Sequence, residues 1–296
     1  MKLSQIGERR IVEEITKKFS IPIDDCAIIE NGNEYILITT DMVNEKKHFP
    51  NGAKPYHMGW YSIAVNLSDI AAKGGNPIAL TAAISIPRNY EISFLNEILD
   101  GMGDCIKNYG GKLIGGDTKE SDVITIAVTA IGKVNKNEYM ARYGAKEGDA
   151  LYVTGDLGKE ASLYLNDLDS LLLIKPRIKE GRELAKLNAI TSCMDLSDGL
   201  ASSLYQLKKI NGVGFILYED WLPISKQAMK MKNPLEFTLY HGGDFELLFT
   251  MPEKYEKDLK IDFKKIGYVI KEKKILIYKN GKKIEIENKG YEHFIS

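Results

Sequence analysis

The stretch Asp25-Cys26-Ala27-Ile28-Ile29-Glu30-Asn31-Gly32-Asn33-Glu34-Tyr35-Ile36-Leu37-Ile38-Thr39-Thr40-Asp41 contains two β-prone runs folded about one dipeptide. Residues 25–29 and 35–40 are apolar and rich in Ile, and Asn31-Gly32 suits the positive backbone angles of a tight turn. An antiparallel hairpin is therefore expected near the start of the chain, with Asp41 just past its second strand. A second hairpin is expected at the other end, where residues 275–278 and 282–286 flank Asn280-Gly281. Between the hairpins, strands and helices mix without strict alternation. This pattern favours α+β units with mixed or antiparallel sheets over a doubly wound parallel fold.

Outward from the first hairpin, residues 7–19 repeat Ile11, Val12, Ile15 and Phe19 at helical spacing. Residues 58–73 read as a helix rich in small residues and stopped by Gly74-Gly75, and residues 77–86 as a buried strand. A helix over 93–109 ends at Gly110-Gly111. A short strand over 112–114 should then run into a Gly115-Gly116-Asp117 corner, followed by a strand over 122–131. Residues 133–149 are polar and aperiodic, which places a domain junction there. The second unit restarts with a strand over 151–154 and helical patterns from Lys159, Ile178 and Asp198. Further strands are expected over 213–218, 246–250 and 267–270. The paired strings Leu67-Ser68-Asp69/Gly115-Gly116-Asp117 and Leu196-Ser197-Asp198/Gly242-Gly243-Asp244 recur at similar spacing, but the patterns between them do not align as a repeat.

With 296 residues, 44% of them hydrophobic, the chain has enough material for two packed units, and disorder is excluded as its main state. Forty Lys and Arg against 41 Asp and Glu leave no basic field to attract nucleic acid or a lipid surface, so an acidic ligand must be held locally. The longest apolar runs, 78–86 and 123–131, are strand-sized, well short of the roughly 20 residues of a membrane helix. The polar start of the chain lacks the apolar core of a secretory peptide, so a cytoplasmic location is expected. Cys26, Cys105 and Cys193 form no C-x-x-C pair and are read as reduced and structural.

Walker A, G-x-G-x-x-G, H-E-x-x-H and G-x-S-x-G patterns are all missing from the sequence. The sequence instead offers Asp25, Asp41, Asp69, Asp117, Asp195 and Asp198 at the ends of apolar segments, beside Gly, Ser or Thr. Carboxylates with hydroxyl neighbours and no paired His or Cys form a hard-oxygen donor set, suited to Mg2+ and through it to a polyphosphate. Divalent cations cancel the repulsion between a triphosphate and a second phosphorylated reactant. In Asp195-Leu196-Ser197-Asp198-Gly199, Ser197 or Asp198 could serve simply as a helix cap worth about 1 kcal/mol. Alternatively, the helix start offers backbone N–H groups to a phosphate while the two aspartates face a metal.

Taken in order, Asp24-Asp25-Cys26-Ala27, Thr39-Thr40-Asp41, His48-Phe49, Ala64-Val65-Asn66-Leu67-Ser68-Asp69, Leu113-Ile114-Gly115-Gly116-Asp117-Thr118, Arg142-Tyr143-Gly144-Ala145, Asp195-Leu196-Ser197-Asp198-Gly199 and Lys289-Gly290-Tyr291 carry a resemblance over almost the whole chain. The chain resembles the thiamine-monophosphate kinase family of the aminoimidazole ribonucleotide synthetase-like ATP-binding proteins. The resemblance implies ATP-dependent phosphorylation of thiamine monophosphate to thiamine diphosphate by direct in-line γ-phosphoryl transfer, with several Mg2+ ions and ATP as co-substrate. It implies a homodimer and a two-domain α+β fold: an N-terminal ATP/Mg-binding and dimerisation domain over 1–135, forming a barrel with its partner, and a C-terminal domain over 147–296. By position it assigns Asp25, Thr39, Thr40, Asp41, Asp69, Asp117, Asp195 and Asp198 to metal. It assigns Gly116, Asp117, Arg142 and Ser197 to nucleotide, and His48 and Tyr291 to substrate. No catalytic group beyond the metal ligands is implied. A tyrosine ring against a cationic thiazolium has a direct physical rationale.

Two positions depart from the family pattern. The family's Gly-Gly-Glu-Asp-Tyr-Glu-Leu is His241-Gly242-Gly243-Asp244-Phe245-Glu246-Leu247 here, so Gly243 replaces a substrate-contacting Glu. Either Asp244 supplies that carboxylate or the pocket differs. Ile23 stands where a Gly commonly precedes the Asp-Asp pair. The competing readings are phosphorylation of an amide or carbonyl oxygen by the same kind of ATP site, and a non-catalytic nucleotide-binding protein.

Overall fold

The computed structural model of the chain describes residues 3–294. The first helix, α1 (Gly7–Phe19), leads into β1 (Ala27–Asn31) and β2 (Glu34–Asn44). These strands form the expected hairpin, with Asn31 opposite Glu34 across the Gly32 turn. A short α2 (Glu45–His48), α3 (Pro55–Ala72), β3 (Asn76–Ile86), α4 (Ile92–Tyr109), β4 (Leu113–Glu120) and β5 (Thr125–Asn135) complete the first unit. Its five strands run in the order β1-β2-β5-β3-β4, with only β3 and β4 parallel.

Residues 136–149 connect this sheet to the second unit. That unit contains β6 (Ala150–Thr154), α5 (Ala161–Tyr164), α6 (Leu168–Leu172), α7 (Ile178–Leu187), β7 (Ser192–Asp195), α8 (Leu200–Asn211) and β8 (Gly214–Tyr218). It continues through α9 (Pro234–Tyr240), β9 (Leu247–Met251), β10 (Phe263–Ile270), β11 (Ile275–Lys279) and β12 (Lys282–Glu285). The sheet order is β12-β11-β8-β10-β6-β9-β7, antiparallel except where β11 meets β8. The β11–β12 hairpin turns at Asn280-Gly281, as expected, with Lys279 paired to Lys282.

Helix α3 positions the site. Ile63, Ala64, Leu67, Ile70 and Ala71 are fully buried, and the helix is covered on nearly every side: by the first sheet, by α4, and by α7 and β7 of the second unit. Close approach makes this enclosure possible. A Cβ on Gly59 would lie 1.9 Å from the Ile98 carbonyl oxygen of α4, and one on Gly181 of α7 would lie 2.2 Å from that of Ala71. Side chains at these positions would push the helices apart.

Several local expectations need correction. Gly115-Gly116-Asp117-Thr118 is not a corner but the interior of β4, where parallel pairing with β3 from Leu80 to Ile86 satisfies the backbone despite the low strand propensity of glycine. Asp41 lies within β2, because β5 pairs with it from Glu34 through Asn44. The helical pattern from Lys159 yields two short helices, α5 and α6. Strand β5 begins at Thr125 and runs to Asn135, past the expected end at 131. Helix α8 has Gly199 as its N-cap and no side-chain cap bond, so neither Ser197 nor Asp198 serves as a cap. Among the described residues, no helix is long and apolar enough to cross a membrane.

Candidate active site

Three carboxylates meet where the two sheets approach each other. Asp25 comes from the loop before β1, Asp69 from the last turn of α3 and Asp195 from the end of β7, and one oxygen of each lies within 4.8 Å of the other two. Asp69 accepts a hydrogen bond from Thr39 Oγ1 at 2.5 Å, and Asp195 accepts one from Ser68 Oγ at 2.6 Å. Asp41 is placed beside them through its backbone: its N–H donates to Asn66 Oδ1 at 3.0 Å, and Asn66 donates in turn to the Ser62 carbonyl. Alternation along β2 puts Thr39 and Asp41 on one face and Thr40 on the other, where Thr40 pairs with Thr129 at 2.9 Å.

The charges within the group are unevenly compensated. Asp25 faces the Lys73 ammonium at 2.7 Å and receives Arg142 Nε at 2.9 Å. Burial pushes its carboxyl up, but Arg142 and Lys73 outweigh burial and hold it below the ordinary value. Among the described residues, the others form no ion pair. Burial, reinforced by Asp198 and Asp25, lifts Asp41 to about 6. Burial and Asp25 lift Asp195 to about 7 against the pull of Ser68 and Arg142. Burial, Asp41 and Asp195 raise Asp69 well above the carboxylate range. Burial and Glu8 also raise Asp198. With cations on Asp25 alone and single hydroxyl donors on Asp69 and Asp195, the group is electrostatically incomplete. Its all-oxygen chemistry fits a hard divalent cation such as Mg2+.

The AIR synthase related protein models match this chain in two parts, the N-terminal domain over residues 23–134 and the C-terminal domain over 146–279. A thiamine-monophosphate kinase of Methanospirillum hungatei is 37% identical over 91% of this chain and 92% of its own length. One from Archaeoglobus fulgidus is 36% identical over 91% and 90%. The chain belongs to the thiamine-monophosphate kinase family.

Among solved structures, AaThiL complexed with AMPPCP and TMP superposes with TM-score 0.90 at 30% identity, covering 99% of each chain. Thiamine monophosphate kinase from Aquifex aeolicus gives 0.84 at 28%, covering 96% of this chain and 99% of that one. Hydrogenase maturation protein HypE in complex with ATP, at 17% identity and TM-score 0.73, covers 94% of this chain and 93% of its own, and shares the fold alone.

Of the positions the family resemblance singles out, Asp25, Thr39, Asp41, Asp69 and Asp195 come together, with Asp198 at their margin. Thr40 and Asp117 do not join them. Asp117 lies on the exposed edge strand β4, its carboxylate accepting from Thr118 N–H at 2.9 Å, and Gly116 packs closely on the Ala82 backbone. Arg142 is held on Asp25 and also donates to Gln206 at 3.0 Å. Ser197 is exposed, and its carbonyl accepts from Gly243 N–H at 2.7 Å. His48 is partly buried, with Nδ1 accepting from Asn44 N–H at 3.0 Å, and burial lowers its pKa. Tyr291 reaches the same corner, its N–H donating to the Asp198 carbonyl at 3.1 Å.

Asp244, the neighbour of Gly243, is engaged elsewhere. It is buried and accepts from the N–H groups of Gly158 at 2.9 Å and Lys159 at 2.8 Å. Burial nevertheless lifts it to about 7. A Cβ on Gly243 would meet nothing within 4 Å.

The sequence reading missed two neighbours of the site. His293 lies between the candidate substrate residues, its ring centroid 5.5 Å from that of His48 and 4.8 Å from that of Tyr291. Lys73, at the end of the helix expected over 58–73, carries no sequence signal, because a lysine at a helix C-terminus is ordinarily solvated. In the fold it is wholly buried.

Proposed function

We propose that this chain transfers the γ-phosphoryl group of ATP to the phosphate of thiamine monophosphate, giving thiamine diphosphate and ADP. The observation that carries the reading is the group of undercompensated carboxylates between the two domains, in a chain 37% identical to a thiamine-monophosphate kinase. Asp25, Asp41, Asp69 and Asp195, with Thr39 and Asp198 beside them, would hold Mg2+. The bound cations supply charge neutralisation for the phosphates. Arg142 binds the nucleotide phosphates once metal competes for Asp25, and the exposed Ser197 with the start of α8 lines the nucleotide side. His48 and Tyr291 orient the acceptor, with the Tyr291 ring against the thiazolium.

In the transfer, an acceptor phosphate oxygen forms the new bond to the γ-phosphorus as the bond to the β–γ bridging oxygen breaks, and ADP leaves with that electron pair. A phosphate monoester has its second pKa near 6, so at neutral pH the attacking oxygen is already deprotonated. No general base is required, and no phosphoenzyme forms.

The acting species is a homodimer built through the N-terminal domain into a shared barrel. Strand β4 supports this reading: it is exposed along its whole length and presents Leu113 and Ile114 at an unpaired edge. The same dimer would bring Gly116, Asp117 and Thr40 into use. The enzyme works in the cytoplasm.

Incubation with ATP, Mg2+ and thiamine monophosphate should give thiamine diphosphate in proportion to ADP. ADP release indifferent to the acceptor would overturn the assignment. Tyr291→Ala should raise KM for thiamine monophosphate about tenfold, a loss on the scale of one desolvated cation–π contact, and leave KM for ATP unchanged.

A further inference from the structure

Lys73 directly follows α3, and its side chain has no solvent exposure. Its ammonium lies 2.5 Å from Asp24 Oδ1 and 2.7 Å from Asp25 Oδ2, and it donates to the Cys193 carbonyl at 3.0 Å. Its backbone N–H donates to the Asp69 carbonyl at 3.3 Å. One residue therefore touches all three segments that supply the carboxylate group: the loop of Asp25, the last turn of α3 with Asp69, and β7, where Cys193 stands two residues before Asp195.

Burying an ammonium is costly, and an apolar side chain of similar volume would fill the space with less penalty. The side chain gains what an apolar one lacks, simultaneous bonds to two domains. Tyr139, which joins the sheets from residues 136–149, completes the arrangement by donating its hydroxyl proton to Asp24 at 2.9 Å. The other cation on Asp25 is placed differently. Arg142 retains some exposure, whereas Lys73 is enclosed.

We infer that Lys73 is a positioning residue: by bonding the Asp24-Asp25 loop to the Cys193 carbonyl from the end of α3, it sets the relative placement of Asp25, Asp69 and Asp195 for cation binding. This inference rests on the metal reading given above.

The test is Mn2+ binding to the full-length, nucleotide-free protein, followed by the electron paramagnetic resonance of free Mn2+, for wild type, Lys73→Met and Asp24→Asn/Lys73→Met. The double variant also removes the carboxylate that the single change leaves unpaired. Wild type should bind Mn2+, and Lys73→Met should bind at least tenfold more weakly. The double variant should recover thermal stability without recovering Mn2+ affinity. The Mg2+ concentration for half-maximal turnover should rise by the same factor.

Affinity equal to or tighter than wild type in either folded variant would overturn the inference, because removing a positive charge without disturbing geometry favours a cation. Failure of the double variant to fold would assign Lys73 to the fold alone and overturn it too. Wild-type binding reports on the metal reading, and the ratio of variant to wild type on Lys73. A wild type that binds no Mn2+ overturns both.

Discussion

Two groups of buried carboxylates lie in this molecule, and they are finished differently. In the second domain, Glu246 is enclosed by Arg177, with Nε and Nη2 each at 2.6 Å, by Lys159, and by Thr154 Oγ1 at 2.7 Å. Neighbouring Asp244 is satisfied by backbone N–H groups. Between the domains, Asp69 and Asp195 receive one hydroxyl each and face one another. Both groups cost desolvation, but in the second the positive charge of Lys73 and Arg142 sits on Asp25 and leaves Asp69 and Asp195 without an ion pair. Burial alone therefore does not mark a functional carboxylate. Several buried carboxylates close together with too little positive charge among them point to a site.

The largest effects should separate the two groups by what fails. Asp195→Asn and Asp69→Asn should each lower turnover a hundred- to thousandfold, while the metal-free melting temperature at pH 8 stays equal to or above wild type because repulsion is relieved. A large loss of folding in both would break the comparison. Glu246→Ala should do the reverse, destabilising by about 2–3 kcal/mol in urea titration because two partly buried cations lose their common partner, with the Mg2+ dependence of the surviving activity unchanged.

A pH series on metal-free protein sharpens the contrast. With Asp41 at about 6 and Asp195 at about 7 against an ordinary 3.8, the native state binds more protons than the unfolded chain between those values. Stability should therefore fall as pH rises from about 4 to about 7, by a few kcal/mol in order of magnitude. Saturating Mg2+ should remove the part of that fall due to Asp41 and Asp195, since metal binding requires the deprotonated form, and leave the part due to Asp244, itself lifted to about 7. A flat metal-free profile would count against an incomplete group. The smallest effect is reserved for Asp244→Asn, which keeps one acceptor for the Gly158 and Lys159 N–H groups. It should cost about 1 kcal/mol, typical of one hydrogen bond, with no change in KM for either substrate.

Much of this was legible in the sequence, for physical reasons. The hairpins at Asn31-Gly32 and Asn280-Gly281 depend on local backbone preferences that any window shows. Asp25, Asp69 and Asp195 stood out because each sits among small or hydroxyl residues beside an apolar run. Strand β4 was unreadable beyond Ile114, because Gly115 and Gly116 have no strand preference of their own and are held by pairing with β3, a non-local fact. The isolation of Thr40 from Thr39 required knowing which face of β2 is covered. Lys73 was hidden for the same reason: its partners are distant in sequence at Asp24, Asp25 and Cys193, and a lysine after a helix is ordinarily solvated.

The placement of Asp25 and Asp69 in one domain and Asp195 in the other has a mechanical consequence. Any cation drawing on all three acts as a cross-link between the sheets, and its occupancy tightens their junction. A site filled at one hundred times its dissociation constant would add about 2.7 kcal/mol to the arrangement that binds the cation. A loaded chain would then be stiffer at this junction than the metal-free one, so rigidity would be delivered together with the reactants.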